Sequence, residues 1–272
     1  MNALQRLENR MAQLQIFAKK SLGQNFLISD HVIQKIIDAV VGFNVEKIIE
    51  IGPGCGALTD LLKEKFTQLT LIELDRDLIQ FWQSQNVNVI AGDALQIEWN
   101  FTDEHLLVSN LPYQISSSIV IDRCLDQNKL IGMVLMFQKE VAQRIRAVAQ
   151  TEHYGMLSVM AQEFWKIETV CEAGPRDFKP APRVASRVLK FSPRVSNIEN
   201  PQSYLTFLKN CFQQRRRVLS TNLSSLSKEY DLSLFSEWVI QNKKNEKIRV
   251  EELSPLEINS LYHYLRGTSC RS

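Results

Sequence analysis

Asn110-Leu111-Pro112-Tyr113 follows directly on the apolar run Leu106 to Ser109. A strand ending this way presents a side-chain amide, a backbone carbonyl and an aromatic ring at one tip. Pro112 fixes its own φ and biases Leu111 toward extended geometry, so the tip is stiff. A planar amine can donate to the Asn110 and Leu111 carbonyls while its ring lies against Tyr113, as the exocyclic amine of a nucleobase would. Read alone, the tetrapeptide is equally a turn after a buried strand, since Asn and Pro are ordinary turn residues.

A second group lies upstream. Lys47-Ile48-Ile49-Glu50-Ile51 is a short β-branched stretch that runs into Gly52-Pro53-Gly54-Cys55-Gly56, and Ala57 to Lys65 resumes a helical pattern. Strand, glycine turn and helix form the nucleoside-binding unit of doubly wound sheets. The spacing is Gly-x-Gly-x-Gly, unlike the Gly-x-Gly-x-x-Gly of dinucleotide sites, and no lysine follows to make a P-loop. A close backbone approach beside the Glu50 carboxylate suits a cationic or amino-acid ligand. S-adenosylmethionine, a sulfonium with an amino-acid tail, is both.

A strand over Leu69 to Leu74 places Glu73 21 residues beyond Gly52, the offset of acids that hold ribose hydroxyls. A third strand, Val87 to Ala91, ends at Gly92-Asp93, where Asp93 can accept from an adenine amine or simply close a turn. Gly52, Gly54, Glu73 and Asp93 thus fall at the C-terminal ends of three consecutive strands. Ligands bind there in open α/β sheets.

The remaining pattern supplies the scaffold. Residues 30–41 read as a helix with Asp30 as N-cap and Val32, Ile33, Ile36, Ile37 and Val40 on one face. After the fourth strand come a helix (Ser116 to Leu125), an apolar strand (Leu130 to Phe137), a basic helix (Lys139 to Val148) and a helix over Gly155 to Trp165. Ile167 to Ala173 and Arg187 to Phe191 read as the strands that finish the sheet. Between them, Phe178-Lys179-Pro180-Ala181-Pro182-Arg183 is a stiff loop whose Phe178 either anchors the chain or offers a stacking face. Pro, Ser and Asn gather at Ser192 to Pro201, and only helical patterns follow: Gln202 to Phe212, Arg215 to Leu226, Leu232 to Gln241 and Pro255 to Leu265. The expected organisation is a leader (1–20), an α/β domain (21–194) and a small all-helical domain (195–272).

At 272 residues the chain has room for a large domain and a small one, and its composition is that of an ordinary globular protein. No apolar stretch approaches membrane-spanning length, and the N-terminus lacks a signal-peptide core. Arg6, Arg10, Lys19 and Lys20 against a lone Glu8 give the leader some transit-peptide character, but it contains no Ser. Leu4, Leu7, Met11 and Leu14 make it an amphipathic helix instead. The five cysteines (Cys55, Cys124, Cys171, Cys211, Cys270) are odd in number and scattered, as are the four histidines. We therefore expect no metal site and no disulfide framework, which fits a reducing compartment.

The net charge of +2 is unevenly spread: residues 46–104 hold 4 basic and 11 acidic side chains, leaving the rest strongly positive. Basic clusters stand at Lys19-Lys20, Lys139 to Arg146, Arg176 to Arg194 and Arg215 to Arg217. Each alone is a solvated face; four together point to a polyanion as partner.

In order and wording these motifs closely resemble the KsgA-type small-subunit ribosomal RNA adenine dimethyltransferases, from about Lys20 to the C-terminus. The carriers are Gly23-Gln24-Asn25-Phe26-Leu27, Glu50-Ile51-Gly52-Pro53-Gly54, Ile72-Glu73-Leu74-Asp75, Asn110-Leu111-Pro112-Tyr113, Gln138-Lys139-Glu140-Val141, Tyr154-Gly155 with Leu157-Ser158-Val159, Phe178-x-Pro180-x-Pro182 and Arg215-Arg216. The resemblance implies a Rossmann-like S-adenosylmethionine-dependent methyltransferase sheet with a helical, RNA-binding C-terminal domain. It implies dimethylation of the N6 amines of two adjacent adenosines in the 3'-terminal hairpin loop of 16S ribosomal RNA, within the small subunit or its precursor and coupled to ribosome biogenesis. The enzyme would be a cytoplasmic monomer. Position by position, Asn25 and Leu27 would close over the cofactor, Gly52 would contact its amino-acid end, Glu73 its ribose and Asp93 its adenine. Asn110 would bridge cofactor and target base, joined by Leu111, Tyr113 and Phe178 in the catalytic set.

Two departures are visible: Gln114 stands where relatives commonly have Asn, and the leader is longer than usual. The competing readings are a large-subunit ribosomal RNA dimethylase and a binding factor of ribosome assembly or transcription with secondary catalysis. DNA adenine and protein glutamine methyltransferases favour Pro where Leu111 stands.

Overall fold

The computed structural model describes residues 1–126, 129–226 and 229–267; Cys270 lies outside them. The β-branched runs become strands buried in a seven-stranded sheet, as expected of parallel strands covered on both faces. In chain order the elements of the larger unit are α1 (Ala3–Leu14), β1 (Phe26–Leu27), α2 (Asp30–Val41), β2 (Lys47–Ile51), α3 (Thr59–Lys65), β3 (Gln68–Glu73), α4 (Arg76–Ser84) and β4 (Asn88–Ala91). They continue through β5 (His105–Asn110), α5 (Ser116–Leu125), β6 (Leu130–Gln138), the first half of α6 (Lys139–Arg146), β7 (Trp165–Ala173, all but its first residue), β8 (Phe178–Lys179) and β9 (Ser186–Pro193).

The sheet order is β4-β3-β2-β5-β6-β9-β7. β4, β3, β2, β5 and β6 run parallel, whereas β9 pairs antiparallel with β6. From β2 the chain winds outward through β3 and β4, then returns to lay β5 on the other side of β2. The crevice between the ends of β2 and β5 is therefore the topological switch point, where such sheets bind ligands. Ser109 at the end of β5 donates its hydroxyl to the Ile51 carbonyl at 2.6 Å, stapling the two strand ends together.

α2 buries the expected face, Val32, Ile33, Ile36, Ile37 and Val40. Its cap differs from expectation. Ser29 precedes the helix without a side-chain cap bond, and Asp30 instead accepts from the Ala3 amide at 3.0 Å. That bond ties α1 to α2. α1 begins in an Asn2–Gln5 capping box and buries Ala3 and Leu7, with Met11 and Leu14 packed on the same core.

Contacts divide the chain into two units: Met1–Ala142 with Lys166–Pro193, and Gln143–Trp165 with the segment from Arg194 onward. Residues 143–165 thus group with the C-terminal helices, across the Pro/Ser/Asn-rich break near 192–201. The second unit contains α7 (Met156–Phe164), α8 (Pro201–Cys211), α9 (Leu219–Leu223), α10 (Phe235–Gln241) and α11 (Pro255–Leu265). Tyr204, Phe207, Tyr230 and Tyr262 form a cluster of tilted and edge-on rings in its core. The helix expected over Arg215 to Leu226 begins only at Leu219. Val218 bridges antiparallel to Arg249, and the Leu219 amide donates to the Ile248 carbonyl at 2.8 Å, which holds the backbone extended at that point. Arg215 is occupied as well: its guanidinium donates to the carbonyls of Glu152 (2.6 Å) and Tyr154 (3.0 Å) and pairs with Glu251 at 2.7 Å.

Candidate active site

The ends of β2, β3, β4 and β5 open onto a cavity of about 290 Å³. Asn25, Leu27, Gly52, Glu73, Asp93, Asn110, Leu111 and Tyr113 all line it. Residues spread over almost ninety positions in sequence meet there because each closes a strand or the segment that follows it.

Gly52 and Gly54 take positive φ (+65° and +53°), which bends the chain sharply off β2. A side chain at Gly54 would also put its Cβ 3.1 Å from the Phe26 ring, so this close approach requires glycine. Glu73 at the tip of β3 is 7 % exposed, and its Oε1 accepts from the Leu74 and Asp75 amides at 2.7 and 2.8 Å. Burial raises its carboxyl above the ordinary range even with these bonds. Asp93 is half-buried, and one of its oxygens accepts from the Leu95 amide at 2.9 Å.

Asn110 donates its side-chain N–H to the Asn25 carbonyl at 3.1 Å. That bond fixes which way the amide faces and leaves Oδ1 as the acceptor available to a ligand. The Tyr113 ring is oriented at its far end by a 3.0 Å hydrogen bond between its hydroxyl and that of Ser186, a fully buried residue of β9. The Ser116 hydroxyl bonds the Tyr113 carbonyl at 2.9 Å. The tip is thus held at both ends.

Phe178 does not join this group. It is 3 % exposed, lies in β8 opposite Leu27 of β1, and belongs to the hydrophobic core. Neither face of its ring is open to a base. The sequence reads as a loop there because a two-residue strand leaves no periodicity. Of the two roles open to Phe178, the structure has it as the anchor.

The segment before Asn25 is clamped to β3's tip. Lys19 bridges Asp75 (2.5 Å) and Asp77 (2.7 Å), while Gln24 donates to Asp75 at 2.9 Å. Hydrogen bonds to the two carboxylates raise the Lys19 ammonium; Asp75, despite burial, is held below its usual range by Lys19 and Gln24. Sequence gave no hint of this clamp, because its partners lie more than fifty positions apart.

Glu50 lines the cavity from the end of β2, is 2 % exposed, and its Oε2 has no hydrogen-bond partner. Burial pushes its carboxyl up to about 8. A buried carboxyl without a hydrogen bond, beside a glycine turn, suits a cationic donor. The ammonium of an amino-acid ligand is such a donor, and Glu73, which keeps acceptor capacity beyond its backbone hydrogen bonds, suits a diol. The site's own chemistry therefore fits S-adenosylmethionine. The cavity's cysteine, Cys55, is no nucleophile, since burial drives its thiol up to about 12.

Sheet order, switch-point cavity and donor set define a Rossmann-like methyltransferase that uses S-adenosylmethionine. The fold is similar to that of a dimethyladenosine transferase from Plasmodium falciparum (TM-score 0.74, 24 % identity, covering 89 % of this chain and 98 % of that one). It is also similar to the 23S rRNA methyltransferase ErmE (TM-score 0.66, 24 % identity, 89 % and 99 % covered). The chain belongs to the ribosomal RNA adenine dimethylase family, which it matches over residues 16–266. Among its relatives are the ribosomal RNA small subunit methyltransferase A of Bdellovibrio bacteriovorus (50 % identical over 265 residues, 96 % of this chain and 97 % of that one) and of Syntrophotalea carbinolica (37 % over 252 residues, 88 % and 95 %). Among the described residues, no helix is long and apolar enough to cross a membrane.

Proposed function

We propose that this protein dimethylates the N6 amines of two adjacent adenosines in the 3'-terminal hairpin loop of 16S ribosomal RNA, acting as a cytoplasmic monomer on the small subunit or its precursor. The observation that carries the reading is Asn110 at the β5 tip, amide orientation fixed by Asn25, in one cavity with Gly52, Glu73 and Asp93. A relative 50 % identical along almost its whole length carries the small-subunit name.

Asn25, Leu27, Gly52, Glu73, Asp93 and Asn110 would hold the cofactor, with Glu50 added at its amino-acid end. When bound, the cofactor supplies an electrophilic methyl group on a sulfonium. Asn110 Oδ1 and the Leu111 carbonyl accept the two N–H groups of the target amine. Its lone pair is otherwise delocalised into the ring, and these acceptors favour a more tetrahedral, more nucleophilic nitrogen. Tyr113 stacks on the base once it has left its own stack. Most of the rate gain is positioning and fixed dipoles. No side chain serves as a strong base, because the alkylated nitrogen is acidic and loses its proton readily. The monomethyl amine has one N–H left, so a single carbonyl must suffice for the second transfer.

The C-terminal unit and the basic clusters would bind the RNA backbone. The test is transfer of labelled methyl groups to small subunits lacking the modification, followed by mapping of the methylated base. Label at two adjacent adenines of the small-subunit hairpin supports the proposal. Label in large-subunit RNA, or none with RNA still bound, would replace it by one of the competing readings.

A further inference from the structure

The leader helix α1 is part of the cofactor cavity. Ala3, Arg6 and Leu7 line it, and the helix is fastened to the glycine turn and the adjoining elements. Arg10 donates to the Cys55 carbonyl at 2.6 Å and to Asp60 at 3.1 Å, and its guanidinium lies over the Phe81 and Trp82 rings. The fit is close: a Cβ at Gly56 would meet Arg10 Nη1 at 2.2 Å. Glu8 pairs with Lys179 at 2.6 Å.

Arg6 is placed differently. Its Nε and Nη2 are buried without a hydrogen-bond partner. The neighbouring carboxylates stand off, Asp30 at 3.6 Å and Asp60 at 4.0 Å. Both are engaged elsewhere, Asp30 by the Ala3 amide and Asp60 by Arg10. The Arg6 Nη1 donates to the Met1 carbonyl at 3.0 Å, and the residue lines the cavity. A buried guanidinium edge with unused N–H groups matches a carboxylate.

We propose that Arg6 binds the carboxylate of the cofactor's amino-acid tail, opposite the ammonium that Glu50 receives, so that the leader helix completes the donor site. Both groups of the cavity wall that lack hydrogen bonds, a guanidinium and a carboxyl, are then satisfied by the two ends of a single zwitterion. This rests on the methyl-donor reading of the cavity.

The experiment is equilibrium binding by calorimetry, with S-adenosylhomocysteine and 5'-methylthioadenosine as probes. The second retains adenosine and sulfur but has no amino-acid tail. Arg6→Ala should weaken S-adenosylhomocysteine about tenfold or more, the scale of a charge-assisted hydrogen bond, and leave methylthioadenosine unchanged. Arg6→Lys should recover part of the loss. Unchanged methylthioadenosine affinity also shows that the variant cavity is intact. Equal weakening of both probes would make Arg6 a packing residue and overturn the inference, as would full-strength S-adenosylhomocysteine binding by Arg6→Ala. A wild-type chain that binds neither probe would instead remove the methyl-donor reading underneath.

Discussion

Arg6 and Arg215 both sit in basic stretches of sequence, and the structure treats them in opposite ways. Arg215 spends its donors on two carbonyls and a carboxylate of its own unit and carries a bend in the chain. Arg6, on the wall of a cavity, keeps Nε and Nη2 buried without a hydrogen bond, with only the stand-off carboxylates of Asp60 (4.0 Å) and Asp30 (3.6 Å) beside them. The same contrast separates Glu172, shared by Lys139 (3.0 Å) and Arg187 (2.5 Å), from Glu50, whose Oε2 has no ion pair and lies near only the Thr59 hydroxyl. Residue type and clustering do not tell these pairs apart. What distinguishes a binding group is that the protein has left it unsatisfied where burial makes that costly.

If that contrast is right, groups left open should act on ligands and groups already used should act on stability. The largest effect belongs to Asn110→Ala. Methyl transfer in single turnovers should fall at least a hundredfold, the scale of a lost oriented dipole, while RNA affinity stays nearly unchanged. Loss of both together would make Asn110 structural.

Glu50→Gln comes next, and its sign follows from the raised carboxyl. The folded group holds its proton up to about 8, against an ordinary value of 4.5. Between those limits the folded state binds the extra proton, so stability falls as pH rises, by at most about 1.4 kcal/mol per unit. The variant should lack that slope in thermal melts. S-adenosylhomocysteine affinity should rise with pH between about 5.5 and 7 in the wild type, approaching tenfold per unit, and stay flat in the variant. A wild-type affinity indifferent to pH would remove Glu50 from the cofactor site.

Arg215→Ala should lower stability by about 1 to 3 kcal/mol in denaturant titrations and barely alter the salt dependence of RNA binding. Arg216→Ala, at an exposed neighbour, should do the reverse, reducing the salt slope by about one and leaving stability alone. If Arg215→Ala changed the slope and not the stability, the assignment would be inverted. The smallest effect is expected at Ser186→Ala and Tyr113→Phe. Each removes the hydroxyl pair that orients the ring, and each should weaken RNA-substrate capture a few-fold, with kcat nearly intact. Because they break the same bond, the double variant should be no worse than either single one.

Much of the α/β unit was legible because local signals were strong. β-branched runs, the glycine turn and the acids at strand ends each carry a spacing that chemistry requires. The cavity-lining set, from Asn25 to Tyr113, followed from those spacings together with the family resemblance. Phe178, expected in the catalytic set, is instead packed in the core, because a two-residue pairing with Phe26-Leu27 leaves no trace in sequence. The helix drawn from Arg215 ignored Val218, whose bridge to Arg249 joins residues thirty-one positions apart. The unbonded Oε2 of Glu50 and the unbonded Nε and Nη2 of Arg6 are invisible to any pattern, since they are defined by missing hydrogen bonds. Ser186 was passed over for a simpler reason: a lone serine after a proline-rich loop resembles every other turn serine.

The Ser109–Ile51 bond has one further consequence. Donor-binding and acceptor-binding residues sit at the ends of neighbouring ladders, Glu50 facing Val108 in register, and that bond locks the two ends. Amide protons along such central strands exchange with solvent only when the whole unit opens. On heating, the distance between methyl donor and target amine should therefore persist until the cooperative transition, with no earlier stage in which the protein is folded but the reactive ends have drifted apart. Activity and native structure would disappear over the same few degrees.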